Sequence, residues 1–375
     1  MKKVLIRNDL IEGGGVENVM QNLIMFLDER GYEITVVTDR GSKKEFYSIF
    51  SDTIKYFRSS YERGDFKRLS LQWLADWIKS KVYEIFFRIQ MHKKFDLAIA
   101  IKEGQSMVSV SRLHSKRKYA WVHVDYDFLY WTQYVFETPE EERKCMGSFD
   151  KVVCVSKAAM ESVIHVVGNP GNLCVRYNPI NYMDIRRKAQ ESSYLSKPDK
   201  SLLFVAVGRL AEQKNYRMLI DVFASLCKKY KNIELWIVGE GNQRSELEEK
   251  IRESGLASIK LLGERKNPYS ILKMADCMIS ASKGESYGLA IQEAFILGIP
   301  VVSTKCPALE EVFDDRFGIL SENTAEGLEQ ALVKILENRE ILKKYRDNIK
   351  QFYKAEILYE QRLEKICDLW EQEDE

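Results

Sequence analysis

Residues 201–241, SLLFVAVGRLAEQKNYRMLIDVFASLCKKYKNIELWIVGEG, decide the fold. Leu202–Val207 is an unbroken apolar run of strand length. A polar loop follows, and Arg217–Lys229 then has helical periodicity. Glu234–Val238 is a second apolar strand. A strand, a helix and a strand in this order form a βαβ unit, which implies a parallel sheet.

The alternation extends outward from this unit. Downstream, a helix is predicted over Gln243–Ser254, a strand over Ile259–Leu262, a helix over Pro268–Met274 and a strand over Cys277–Ser280. A helix over Gly288–Leu297 and a strand over Val301–Thr304 complete the series. Upstream the chain opens with an independent series. Val4–Arg7 is a strand and Glu12–Gly15 a glycine-rich turn. Val16, Val19, Met20, Leu23, Ile24 and Leu27 lie on one helical face, Gly31 is the stop and Ile34–Thr38 the next strand. Further strands are predicted at Leu97–Ile101, Tyr119–His123 and Val152–Val155. Two separate βα series make two Rossmann-like domains, with boundaries at 1–180 and 201–354. Residues 181–200, polar and weakly periodic, read as a linker. Ala325–Tyr359 reads as helical, and Glu360–Trp370 continues it with Leu363, Ile366, Cys367 and Trp370.

Length and composition agree. At 375 residues the chain is long for one doubly wound domain and fits two of about 150–200. Its 45% hydrophobic and 30% charged residues are those of a globular protein. The net charge of +1 gives no argument for a polyanionic partner, although the N-terminal half carries the positive excess. The seven cysteines form no CxxC pair and no zinc-like cluster with histidine, which fits reduced thiols and a cytoplasmic location. MKKVLIRNDL is too short in its apolar part for a signal peptide, and no run reaches the ~18 apolar residues of a membrane span.

Four features carry chemistry. The first is Lys283-Gly284-Glu285-Ser286-Tyr287-Gly288-Leu289-Ala290-Ile291-Gln292-Glu293, a loop leading from a strand into a helix. Unpaired backbone N–H groups at a helix start favour an anion such as a diphosphate. Carboxylates only accept hydrogen bonds, so Glu285 on the loop can hold a sugar ring and Glu293 can reach a ribose. The same pattern also fits a plain helix start with Glu285 facing the dipole and Glu293 in solvent. The second is Gly208-Arg209-Leu210-Ala211-Glu212-Gln213-Lys214, at the C-terminal end of the 202–207 strand, where open α/β sheets bind ligands. Its two cations can neutralise a departing nucleoside diphosphate, or simply be a solvated loop. The third is Gly13-Gly14-Gly15, which lets backbone approach a ligand or makes a tight turn. The fourth is His123, ending the 119–123 strand, as a cleft residue or a satisfied structural histidine. Asp125-Tyr126-Asp127 matches an acid-any-acid metal pattern, but the cations at 209 and 214 already supply the charge, so no metal is expected.

Taken together, these motifs resemble family 4 of the retaining glycosyltransferases. The resemblance rests on Ser282, Glu285, Gly288, Glu293-Ala294, Gly298 and Pro300-Val301-Val302 at the family's spacing. It also rests on Gly208-Arg209 with Lys214, Gly239-Glu240-Gly241, Gly263 through Tyr269, and Asn178-Pro179-Ile180, all in the family's order. It implies the GT-B fold: two Rossmann-like domains facing across a cleft, with a C-terminal helix, about 355–375, crossing back to the N-terminal domain. It implies that Gly208, Arg209 and Lys214 hold the diphosphate and Glu293 the ribose. Glu285, Ser286 and the amides of Tyr287, Gly288 and Leu289 then hold the donor sugar. Gly239, Glu240, Gly263, Arg265 and Asn267 lie by the base, and Gly14 and Gly15 close on the donor. Glu285 and His123 are the catalytic pair. Ser286-Tyr287 stands where the pattern often has Gly-Phe, which bears on the choice of sugar.

The expected reaction moves a hexose or N-acetylhexosamine from a nucleotide-sugar to a glycan or lipid-linked acceptor, in cell-surface polysaccharide or glycoconjugate synthesis. UDP is the expected nucleotide because Gly263–Tyr269, GERKNPY, looks like the same stretch in UDP-sugar enzymes of the family. Residues 58–94 hold nine Lys/Arg against four acids, interleaved with aromatics. This segment reads either as a peripheral surface for an anionic membrane or as ordinary packed helices, and no nucleic-acid partner is expected. Tyr126 to Phe136 is an aromatic run that either stacks on acceptor sugar or packs. Two other functions share the architecture: a nucleotide-sugar epimerase, for which no acid/base set is evident, and a non-catalytic partner subunit, against which the intact Glu285, Glu293, Arg209 and Lys214 speak.

Overall fold

A computed structural model of the chain describes residues 1–10, 15–40, 55–58, 78, 89, 94–193 and 195–371. Gly14, and nearly all of the basic 58–94 segment, lie outside the described residues. The chain divides into two compact units, Met1–Pro179 with Gln361–Glu375, and Ile180–Glu360.

The first unit is built on a parallel sheet of β1 (Lys3–Leu10), β2 (Glu33–Arg40), β3 (Lys55–Arg58), β4 (Phe95–Ala100), β5 (Ser115–Val122), β6 (Lys151–Cys154) and β7 (Leu173–Val175). Their order across the sheet is β3-β2-β1-β4-β5-β6-β7. Helix α1 (Gly15–Glu29) buries Val19, Met20, Leu23, Ile24 and Leu27, the stripe predicted from the 3.6 period. Helices α2 (Gln105–Ser111), α3 (Pro139–Met146) and α4 (Lys157–Val166) complete the described layers. Thr138 and Ser156 cap α3 and α4 by accepting backbone N–H groups with their side chains.

The second unit starts with α5 (Tyr182–Ala189). Its sheet, all parallel, has the order β10-β9-β8-β11-β12-β13. These are β8 (Leu202–Val207), β9 (Ile233–Val238), β10 (Ile259–Gly263), β11 (Cys277–Ser280), β12 (Val301–Thr304) and β13 (Gly318–Ser321). The helices between them are α6 (Tyr216–Lys229), α7 (Arg244–Ser254), α8 (Tyr269–Leu272), α9 (Leu289–Ile296) and α10 (Pro307–Val312). They are followed by α11 (Ala325–Glu337), α12 (Glu340–Phe352) and α13 (Ala355–Glu371). The apolar run of β8 serves two cores at once. Leu202, Phe204 and Ala206 join the cluster with Phe223 and Leu332, while Leu203 and Val205 join the one with Phe295 and Val301. Period-2 alternation with no polar face is the reason that run contains no polar residue.

Three expectations change. The stretch 181–200, read as a linker, contains α5, capped by the Asn181 side chain. Its buried face is only Ile185 and Ala189, too thin a stripe to register as periodicity. The helical reading of Ala325–Tyr359 resolves into α11, α12 and the start of α13. The helix expected over 268–274 is a single turn, α8. The end of α13 returns to the first unit as expected: Leu363, Ile366, Cys367 and Trp370 are buried. Tyr119 donates its hydroxyl to the Leu369 carbonyl, and its ring meets Trp370 edge-on at 5.7 Å. Arg176 Nε donates to the Lys365 carbonyl at 2.6 Å. None of the described helices is long and apolar enough to cross a membrane.

Candidate functional site

In the second sheet the first strand, β8, lies beside the fourth, β11. The chain therefore leaves these two neighbours toward opposite sides, which opens a crevice at their C-terminal ends. The loops emerging there are 208–215 and 281–288, the two that sequence reasoning singled out.

The loops are fastened to each other. The Lys283 N–H donates to the Gln213 carbonyl at 2.8 Å, and the Gln213 side chain returns a bond to the Gly284 carbonyl at 2.8 Å. Lys283 pairs with Glu212 at the rim. Behind them, Thr304 Oγ1 donates to the Ser282 carbonyl at 2.9 Å and Asn323 Nδ2 to the same oxygen at 3.2 Å. On this frame Lys214 Nζ donates to Glu285 Oε1 at 2.5 Å, and Ser282 Oγ to the same oxygen at 2.7 Å. Both partners are largely withdrawn from water, with side-chain exposures of 21% for Lys214 and 12% for Glu285. Arg209 on the same loop is exposed.

Helix α9 starts at Gly288, whose φ of 74° is left-handed, and among the described residues no side chain caps it. A Cβ at Gly288 would be strained at that φ and would stand 2.5 Å from Leu309 Cδ2, so glycine is favoured in the turn. The first N–H groups of α9 are thus left for an anion. One turn further on, Glu293 Oε1 accepts from Tyr269 Oη at 3.1 Å. Burial pushes the Glu293 carboxyl up to about 7, while Tyr269, Lys188 and Lys214 hold it down. Burial likewise pushes the Tyr269 hydroxyl far up, with Glu293 adding to the rise, so it stays a donor.

The loop after β9 comes equally close. A Cβ on Gly239 would lie 1.9 Å from the Gly208 carbonyl oxygen, so the two loops touch backbone to backbone. Glu240, exposed, pairs with Arg244. Beyond Gly263, Asn267 spends its side chain locally: it donates to the Lys188 carbonyl at 2.7 Å and accepts from the Tyr269 N–H at 3.1 Å. That ties the 263–269 loop, which carries Arg265, to α5. Ser286 is half-buried, and Tyr287 lies beneath the surface at 2% exposure.

In the first unit, β4 and β5 are neighbours. His123, just past β5, is buried at 8% exposure, and desolvation brings its imidazole down to about 4. The Ile101 carbonyl accepts from the ring, and Nε2 is buried without a partner among the described residues. Glu103, fully buried, accepts the His123 N–H at 3.0 Å through one oxygen and Trp131 Nε1 at 2.9 Å through the other. Gly15 begins α1. Asp125 accepts the Asp127 N–H at 3.0 Å, closing a local turn, and Asp127 meets His165 Nδ1 at 2.5 Å. The aromatic run divides. Tyr126 and Phe136 are core, with Tyr126 Oη donating to the buried Glu142 at 2.7 Å, whereas Tyr134 is 85% exposed.

Sequence reasoning missed Gln213, Tyr269, Lys188, Thr304, Asn323 and Glu103. Glu103 had one available signal, an acid just past the C-terminal end of a predicted strand. The others act only through contacts made in the folded chain.

Two family models together match most of the chain. Residues 13–182 match the Glycosyltransferase Family 4 model, and residues 187–352 the model for Glycosyl transferases group 1. The chain belongs to family 4 of the glycosyltransferases. An uncharacterised glycosyltransferase of Methanocaldococcus jannaschii is 37% identical over 117 residues, 31% of this chain and 29% of the relative. The N-acetylgalactosamine-N,N'-diacetylbacillosaminyl-diphospho-undecaprenol 4-alpha-N-acetylgalactosaminyltransferase of Campylobacter jejuni is 32% identical over 211 residues, 55% of this chain and 56% of the relative. The chain therefore matches about half, or less, of these relatives' length. Among solved structures, Anabaena HepE in complex with UDP-glucose superposes with a TM-score of 0.72 at 19% identity, covering 98% of this chain and 100% of that one. The GT-B fold follows from that likeness.

Proposed function

We propose that the protein is a retaining glycosyltransferase that moves a hexose or N-acetylhexosamine from a UDP-sugar to a glycan or lipid-linked acceptor. The observation that carries this reading is the Lys214–Glu285 pair at 2.5 Å, set between an uncapped helix start and the exposed Arg209 at the switch point of the second sheet. Cations, open N–H groups and an acceptor-only carboxylate within one crevice match a diphosphate joined to a polyol. The named relative from Campylobacter jejuni, a transferase whose name carries a diphospho-undecaprenol acceptor, and the UDP-glucose bound to HepE support the two substrate classes.

In this reading Arg209, Lys214 and the first amides of α9 take the diphosphate, and Glu293 the ribose. Glu285 and the amides at 287–289 hold the donor sugar. The loop from Gly263 to Asn267, with Gly239 and Glu240 beside it, borders the base. The bond from the sugar C1 to the phosphate oxygen breaks toward an oxocarbenium-like state. The acceptor hydroxyl bonds C1 on the same face, and its proton passes to the departing diphosphate. The protein's part is positioning and charge stabilisation, and Arg209 with Lys214 supply the positive charge. In this reading His123 acts as a neutral imidazole, because burial holds its pKa at about 4.

A thermal-shift screen of UDP-, GDP- and ADP-sugars, followed by NMR of the product's anomeric proton, tests the reading. A UDP-sugar shift and a product with the donor's anomeric configuration are expected. An inverted product overturns retention, and the absence of a shift with every nucleotide-sugar overturns the donor site. Vesicle sedimentation with and without anionic lipid tests the peripheral-membrane role of residues 58–94, and failure to bind at every salt concentration refutes it.

A further inference from the structure

We propose that Glu285 competes with the diphosphate for Lys214, so that the site holds the sugar-bearing donor and expels the bare nucleoside diphosphate. The inference rests on the donor-site reading above and adds how that site discriminates between substrate and product.

Lys214 and Glu285 are already each other's ligands. The ammonium donates to Oε1 at 2.5 Å, and among the described residues Ser282 Oγ, at 2.7 Å, is the other polar partner of that carboxylate. The backbones that carry them cannot drift apart easily. The Gln213–Lys283 and Gln213–Gly284 bonds lock loop to loop, and Thr304 and Asn323 lock the second loop from behind. A diphosphate arriving at the start of α9 therefore gains Lys214 through a swing of the lysine side chain, and Glu285 loses that contact in proportion. Lys214 also helps hold Glu293 down, so one ammonium serves two carboxylates before any phosphate arrives.

What replaces the lost contact depends on the ligand. A sugar on the diphosphate brings hydroxyl donors to Glu285, and the carboxylate is satisfied again. A bare nucleoside diphosphate brings none. It leaves a carboxylate that is 12% exposed with the Ser282 hydroxyl as its remaining partner among the described residues, and sets further negative charge beside it. A charge that loses its partner away from water costs more than an exposed one. That cost falls on the product and not on the donor. Once the sugar has left for the acceptor, Glu285 is free to draw Lys214 back, which weakens the hold on the diphosphate.

Glu285→Gln tests this. It preserves shape and the Ser282 contact but removes the charge that competes for Lys214. Calorimetry at pH 8, where the terminal phosphate of a nucleoside diphosphate is fully ionised, measures binding of UDP, GDP and ADP and of the matching nucleotide-sugars. For the nucleotide that binds wild type, the bare diphosphate is expected to bind Glu285→Gln about tenfold tighter, the worth of one charge-assisted contact. The nucleotide-sugar gains less than about twofold or weakens. Glu285→Asp, which restores the charge, returns the diphosphate affinity toward wild type, and unchanged melting curves show that the variants are folded. Equal or weaker diphosphate binding to folded Glu285→Gln overturns the competition while leaving the donor site standing. No binding of any of the three diphosphates to wild type or variant overturns the donor-site reading and the competition together.

Discussion

Replacing Tyr269 with Phe changes one bond in the site, the hydroxyl that donates to Glu293 at 3.1 Å. Burial already lifts the Glu293 carboxyl to about 7, and the tyrosine hydroxyl is the first of the groups that hold it there. A hydrogen bond of this length to a carboxylate is worth about 1.4 kcal/mol, near the low end for charged acceptors, which is about one unit of pH. In Tyr269→Phe the carboxyl therefore titrates near about 8. At pH 7 the ionised share falls from about one half to about one tenth. Only the carboxylate accepts from both ribose hydroxyls, so donor affinity at pH 7 should fall about fivefold, and variant and wild type should converge within about twofold near pH 9. The ligand must be the nucleotide-sugar. Its diphosphate is esterified at both ends and does not titrate near neutrality, unlike the terminal phosphate of a free diphosphate. Calorimetry from pH 5.5 to 9 reads the curve directly. A wild-type affinity flat across that range, or a variant weakened equally at every pH, refutes the assignment of Glu293 to the ribose.

The same titration has a sign in stability. An acid raised from 4.5 toward 7 in the folded protein is neutral in both states at low pH. As pH rises through 4.5 the unfolded chain ionises first, so stability is lost between about 4.5 and 7. His123, brought down from 6.5 to about 4, acts oppositely: the unfolded state binds the extra proton in that window, and stability is gained as pH rises from 4 to 6.5. Subtracting the melting profile of Glu293→Gln from that of wild type isolates the first effect.

Other perturbations separate the parts of the site. Lys214→Ala and Glu285→Ala should each lower transfer by about 10²–10³-fold while melting normally, and full turnover in either removes that residue from the mechanism. Gln213→Ala deletes the side-chain bond to Gly284 but leaves the backbone bond from Lys283. Looser placement of the pair should cost about tenfold in kcat/KM with less than about 1 kcal/mol of stability, both read by steady-state kinetics and urea melts. Gly239→Ala drives a Cβ to 1.9 Å from the Gly208 carbonyl, and should destabilise the fold by more than about 2 kcal/mol in denaturant titration.

Much of the fold was legible because parallel strands covered on both faces must be apolar throughout. β8 shows this: every residue from Leu202 to Ala206 is buried, and the run marks itself. Helix α5 was not legible for the converse reason. With Ile185 and Ala189 as its only buried residues, its helical face could not be told from a polar connector. Yet α5 brings Lys188 toward Glu293 and anchors Asn267, so the region read as a linker shapes the site. The two glutamates and two cations were legible because each follows a strand that reads clearly. Their pairing was not, since Lys214 and Glu285 are 71 residues apart.

Strand register is the missing information, and two contacts show how far it reaches. β4 pairs with β5 through Ile99 and Tyr119. Continued four residues past that pair, the same offset sets Glu103 opposite His123, which are bonded 20 residues apart in sequence at 3.0 Å. β8 pairs with β9 through Val207 and Val238, and the next step sets Gly208 against Gly239, where backbone meets backbone. A glycine after each of two adjacent strands is then a consequence of the loops crossing at one level, whatever ligand they hold. Glu103 follows the same logic: once β4 and β5 are neighbours in that register, the acid past one strand must meet the backbone past the other. Sequence periodicity places each strand but says nothing of which strand lies beside it. The site residues legible in the sequence are therefore those whose chemistry shows within one loop, and those visible only in the fold are the ones whose partner is brought up by another strand, helix or loop.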